Sequence, residues 1–85
     1  MTFQHDGHEY EAVIGSDLKR DGMFLEVRAR PGVVELLEVF YSDQTEQMTF
    51  TGYQPDIPLE VVEWAASMAR KRLIPTTNRA DGDRD

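Results

Sequence analysis

The chain contains no cysteine and little positive charge, and each shortage excludes a class of protein. Without cysteine there is no disulfide framework, thiol nucleophile, zinc–thiolate site or iron–sulfur cluster. Nine Lys and Arg against sixteen Asp and Glu give a net charge of −7, which argues against binding nucleic acid by phosphate neutralisation. No apolar run approaches the roughly 20 residues that cross a bilayer, and the polar amino terminus does not resemble a signal peptide. We therefore expect a cytoplasmic protein without membrane contacts.

The shortness of the chain and the absence of catalytic motifs argue against an enzyme. A single domain of 85 residues buries only about 60–65% of its unfolded surface, which leaves little room for a deep substrate cavity. The glycines are scattered at turns rather than gathered in a phosphate loop, and Ser16, Ser42 and Ser67 have no neighbouring His. We expect no catalytic residues and no cofactor.

Short alternating runs separated by turn signals predict four antiparallel strands in a meander. The runs are residues 9–14, 23–30, 33–41 and 47–53. The third run also fits a helical stripe, but its β-branched and aromatic residues and the preceding Pro31-Gly32 turn favour a strand.

The period changes to that of a helix over residues 58–73, with Asp56 as a candidate N-cap and Pro75 as the stop. This order predicts an α+β fold, a four-stranded β-meander followed by one C-terminal helix packed on the sheet. We expect residues 1–8 to be a flexible terminus, residues 9–74 to form the domain and residues 75–85 to be a disordered tail. The predicted core face of the helix consists of Leu59, Val62, Ala65, Ala66, Ala69 and Leu73.

A second apolar strip on the helix and an apolar second face on the third strand suggest a surface for a partner. The strip is Val61, Trp64 and Met68, and Val39 and Tyr41 lie on the strand. A curved sheet or the loop over residues 15–22 could instead cover the strip. We favour the interpretation that the strip is an interface, because Trp is enriched in protein–protein hot spots and one small sheet hardly encloses both sides of a helix. This interpretation predicts a homodimer.

The acidic residues concentrate before the helix. Residues 1–57 hold eleven acids and four bases. Such a surface either keeps the protein solvated or attracts a basic partner and speeds association. The sequence therefore predicts a small non-catalytic protein-interaction domain, in a specific form an inhibitor or immunity-type protein that caps a basic partner.

Two other hypotheses use different residues. His5 and His8 carry metal-ligating nitrogens, but a flexible terminus without a third ligand predicts no metal site. Glu26 could face Glu35 or Glu38 across a turn as a minimal acid–base pair, although Arg28 on the same face favours ion pairs.

The order of elements over residues 9–73 broadly resembles the single-stranded nucleic-acid-binding PUR repeat. The resemblance rests on layout and carries over no functional residue. It implies a nucleic-acid-binding module. Independently of the resemblance, Phe24, Phe40 and Tyr53 are aromatic residues of the kind that stack on bases. The acidic sheet departs from that role, since it would repel the backbone.

Overall fold

The computed structural model describes residues 1–30 and 34–75, which form one antiparallel sheet and one helix. The strands follow each other in the order β1-β2-β3-β4-β5 and the helix comes last. Their bounds are β1 Thr2–His5, β2 His8–Asp17, β3 Gly22–Arg30, β4 Val34–Ser42, β5 Met48–Gly52 and α1 Leu59–Arg72. The predicted α+β meander with a helix packed on it is confirmed, with five strands instead of four. The predicted disordered tail, apart from Pro75, lies outside the described residues.

The additional strand β1 lies in the segment that was predicted to be a flexible terminus. It pairs with β2 through a two-residue turn in which Asp6 and Gly7 have φ values of 51° and 79°. Positive φ at both central residues is the type I′ geometry that suits a tight hairpin, and Asp-Gly is one of its preferred pairs. The prediction for residues 1–8 is therefore corrected, because this turn folds Phe3 back to lie opposite Tyr10.

The ambiguous third run is strand β4, and its helical alternative is wrong. It pairs along its length with β3 on one side and with β5 on the other. Every second residue from Leu37 to Tyr41 faces α1 and is buried. A β-bulge between Val27 and Arg28 shifts the register at the far end of the pair.

The helix is rotated relative to its predicted orientation. Val61, Ala65, Ala69 and Leu73 face the sheet, and Val61 is 0% exposed. Leu59, predicted to be in the core, is 65% exposed, and Ala66 is also exposed. Only Ala65, Ala69 and Leu73 of the predicted face are fully buried. The helix N-cap is Pro58 and not Asp56, which lies before it with a φ of 56°.

Candidate interaction surfaces

The sheet has one face covered by α1 and one face that the described residues leave uncovered, here called the open face. In an antiparallel pair, directly opposed residues point to the same side. Tyr10, Leu25 and Val39 face α1, so the residues that alternate with them lie on the open face. Beyond the β-bulge, Glu35 also lies there because it is opposite Arg28. The acidic residues of the open face are Glu9, Glu11, Asp17, Glu26, Glu35 and Glu38, and its strand arginines are Arg28 and Arg30.

Arg20, from the turn between β2 and β3, reaches over the open face and joins two strands. Its Nη1 and Nη2 donate to the two carboxylate oxygens of Glu38 at 3.2 and 2.7 Å. Its Nε donates to Asp17 Oδ2 at 2.6 Å. The guanidinium carbon lies 4.1 Å from the centroid of the Phe40 ring. This is the planar, bidentate and ring-stacked geometry for which arginine is suited and lysine is not.

The electrostatics of this cluster follow from those contacts. Hydrogen bonds from the Arg20 side chain and backbone N–H lower the pKa of Asp17 below its ordinary value. Hydrogen bonds to Glu38 and then Asp17 raise the pKa of Arg20. Glu38 is only 7% exposed, so the guanidinium compensates a carboxylate that has lost most of its water.

Two phenylalanines stand beside the cluster, each lying over a glycine. Phe24 and Phe40 are cross-strand partners in β3 and β4. A Cβ at Gly15 would lie 2.7 Å from Phe24 Cζ. A Cβ at Gly22 would lie 2.6 Å from Phe40 Cζ and 2.1 Å from the Tyr41 carbonyl oxygen. The rings can therefore occupy these positions only because Gly15 and Gly22 lack a side chain.

The carboxylates considered as a catalytic pair are brought together. Glu26 and Glu38 are direct cross-strand partners. Arg20 binds Glu38, and Arg28 Nη2 lies 3.4 Å from Glu26. The arginines are placed to offset the repulsion between two like charges, so the geometry is that of an ion-pair network. Nearby, burial and the charges of Glu38, Glu35 and Glu26 raise the pKa of Tyr53.

The histidines of the β1–β2 hairpin have other neighbours. His5 Nε2 lies 3.7 Å from Glu60 at the start of α1, and the His5 ring stacks near Phe3. His8 Nδ1 lies 3.1 Å from the Asp6 carbonyl oxygen. In the described part of the chain, no group of three His, Asp or Glu side chains is arranged to hold a metal ion.

The partner surface predicted from sequence lies largely inside the fold. Val61, Val39 and Tyr41 belong to the core between α1 and the sheet. Trp64 and Met68 are half-buried, and the Trp64 ring stacks on Phe3 with centroids 5.0 Å apart. The prediction is corrected for Val61, Val39 and Tyr41, which are buried, while Phe3 on the additional strand β1 stacks on the Trp64 ring.

An apolar groove remains exposed on the other side of α1. The groove, of about 230 Å³, runs between α1 and strands β4 and β5. Its lining residues are Val39, Met48, Thr49, Phe50, Val62, Ala66 and Arg70. Phe50 on β5 is 53% exposed, and the exposed Leu59 stands on the same side of the helix. Sequence reasoning missed this groove because it assigned Val62 and Ala66 to the core.

Comparison with known proteins gives no assignment, since no protein-family model, no curated protein and no solved structure matches the chain. Among the described residues, no helix has the length and apolar character needed to cross a membrane.

Proposed function

We propose that this chain is a small non-catalytic protein-interaction domain that binds a basic segment of a partner protein on its open face. The observation that carries the proposal is the charge of that face. Six carboxylates lie on it against Arg28, Arg30 and the overlying Arg20. An excess of one sign over a broad surface attracts the opposite charge and raises the rate of association.

Within the part of the chain that the structure describes, four of the six carboxylates on the open face form ion pairs with its arginines, and two are available to a partner. Glu11 pairs with Arg30 at 3.1 Å, and the other two arginines engage Asp17, Glu26 and Glu38. Within residues 1–30 and 34–75, Glu9 and Glu35 form no ion pair. They lie on β2 and β4, on either side of β3, where their direct cross-strand neighbours are Arg30 and Arg28. A basic segment that spans the strands can therefore contact both without breaking the existing pairs.

The same face is less suited to the alternative functions. An acid–base enzyme would need Glu26 or Glu38 to exchange a proton with substrate, yet both carboxylates are held by arginines. A nucleic-acid platform would need accessible aromatic rings amid positive charge. Phe40 is instead covered by Arg20, and the surrounding carboxylates repel phosphates. An inhibitor or immunity-type protein that caps a basic surface is the specific form of the proposal.

The test measures binding of a fluorescent Lys/Arg-rich peptide by anisotropy, with an uncharged peptide and a single-stranded oligonucleotide as comparison ligands. We expect the basic peptide alone to bind, with an affinity that falls as salt increases. The double variant Glu9→Gln/Glu35→Gln should weaken binding about 2- to 30-fold, since exposed ion pairs contribute roughly 0.2–1 kcal/mol each.

A matched control distinguishes binding at the open face from non-specific electrostatic binding to an acidic protein. Glu60→Gln/Glu63→Gln removes the same charge from α1, on the other side of the sheet. This variant should bind the peptide as the unmodified chain does. Equal weakening by both double variants, or stronger binding of the oligonucleotide, would contradict the proposal.

A further inference from the structure

The outer edge of β5 presents unpaired backbone groups at alternate residues. The Tyr53 N–H donates to the Leu36 carbonyl at 2.7 Å, and the Gln47 carbonyl accepts from Ser42 at 3.1 Å. Backbone groups alternate in direction along a strand, and the β4–β5 register is unbroken. The odd-numbered residues therefore bond to β4, while Met48, Phe50 and Gly52 direct their N–H and C=O groups outward. Within the described chain no strand pairs with that edge.

This edge has none of the features that usually prevent strand pairing. Natural edge strands are protected by charged side chains, proline or bulges. The β5 sequence, Met-Thr-Phe-Thr-Gly, contains no charge and no proline, and its pairing with β4 contains no bulge. Beside it lies the groove between α1 and β5, into which Met48 and Phe50 project. An edge of this kind favours the addition of another strand.

We propose that β5 pairs antiparallel with β5 of a second copy of this chain, about a two-fold axis at Phe50. The outward groups of Met48, Phe50 and Gly52 are symmetric about Phe50, so one register pairs all of them: Phe50 lies opposite Phe50, and Met48 opposite Gly52. The two exposed Phe50 rings then meet over the joined grooves, where each loses contact with water. The product is a continuous ten-stranded sheet.

Charge in this arrangement favours a second copy as the occupant. The two-fold axis makes the two α1 helices antiparallel, so the basic end of one runs beside the amino end of the other. Arg70 lines the groove side of α1, and Glu63, seven residues earlier, lies on the same side of the helix. Glu60 instead lies beside His5 on β1. Continued along the chain, the same register places Glu46 opposite the uncharged Gln54. Unlike charges are thus brought closer and like charges are not opposed.

This inference is independent of the function proposed for the open face, because Met48 and Phe50 point to the other side of the sheet. The first experiment is analytical ultracentrifugation of the full chain across micromolar concentrations. We expect a monomer–dimer equilibrium whose dissociation constant rises at least about tenfold in Phe50→Lys, since a charge at the centre of the edge opposes pairing. Leu18→Lys is the matched control and should dimerise normally, because Leu18 is an exposed apolar residue in the turn after β2, a strand that does not neighbour β5.

A second experiment tests the register and uses the absence of native cysteine. Opposed residues in a hydrogen-bonded antiparallel pair have Cα atoms about 5.5 Å apart, within disulfide reach. Phe50→Cys should therefore form a covalent dimer under mild oxidation. Thr51→Cys lies one residue along the same edge but would be opposite Thr49, so it should cross-link at least about tenfold more slowly. Leu18→Cys reports random collision.

The folded state of each variant is checked by the emission of Trp64, which is stacked on Phe3 far from β5. A wild-type chain that stays monomeric would overturn the proposal. The same conclusion would follow if the monomeric chain bound an extended peptide at the β5 edge. A dimer that survives Phe50→Lys, or that cross-links equally through Thr51→Cys, would also overturn it.

Discussion

Replacing Arg20 by alanine should destabilise the fold, because it leaves the Glu38 carboxylate without a counter-charge. Arg20 donates two charge-assisted hydrogen bonds to Glu38 and one to Asp17, and it covers the Phe40 ring. Hydrogen bonds to charged groups contribute roughly 1.5–3 kcal/mol each when buried. The Arg20 side chain is 45% exposed, so solvent screening reduces this sum substantially. We expect Arg20→Ala to lower the free energy of unfolding by about 2 kcal/mol.

The part of this loss in free energy that comes from the Arg20–Glu38 pair can be measured by a double-mutant cycle. Glu38→Gln keeps the shape of the side chain and removes its charge. In that background Arg20→Ala should cost about 1 kcal/mol less than in the wild type. Arg20→Lys keeps the charge without the planar fork and should fall between wild type and Arg20→Ala.

Urea unfolding followed by Trp64 emission gives the free energies for all variants. The fluorophore lies on the face of the sheet away from Arg20, so its environment reports folding of the chain and not the local change. If Arg20→Ala cost under about 0.5 kcal/mol, or cost the same with and without the Glu38 charge, the cluster would not stabilise the fold as its geometry indicates.

Three further perturbations test the rest of the structure by the same unfolding measurement. Val61→Ala should lower the free energy of unfolding by about 2 kcal/mol because it opens a cavity in the core, whereas Leu59→Ala should lower it by under about 0.5 kcal/mol. A larger loss for Leu59→Ala than for Val61→Ala would support the helix orientation predicted from sequence instead. Since the folded-state pKa of Asp17 is lowered, its contribution to stability is complete above its ordinary pKa of 3.8 and is lost as pH falls through the folded-state value. The stability difference between wild type and Asp17→Asn should therefore shrink below that pH, and a constant difference would contradict this. Phe3→Ala should shift Trp64 emission to longer wavelength and cost roughly 1–3 kcal/mol, and unchanged emission would mean that β1 does not cover the helix.

Much of the fold was predictable because it depends on local periodicity. The alternation in residues 23–30 corresponds to β3, and the ambiguous run after the Pro-Gly turn is β4. The missed strand β1 had a local signal in Asp6-Gly7, but the run before that turn, residues 2–5, is too short and polar to suggest a strand. Its pairing is stabilised by a distant contact between Phe3 and Trp64, which no local pattern shows.

The orientation of the helix was not predictable in the same way. Apolar residues occur around more than half of α1, so both the Leu59–Val62–Ala66 stripe and the Val61–Ala65–Ala69 stripe satisfy a helical period. Which stripe is buried depends on where the sheet lies and how wide it is. With β1 present, Trp64 has a covering strand, and the apolar surface left exposed moves to the opposite side.

Composition and local periodicity specify the α+β class, the meander, the extent of the helix and the acidity of the sheet segment, because these properties depend on residues that are close together in the chain. Strand register and helix position set which side of the sheet carries the carboxylates, how Arg20 joins Glu38 to Asp17, and which apolar residues remain exposed. Both bring together residues far apart in the chain. The surfaces available to a partner are therefore a property of the assembled sheet.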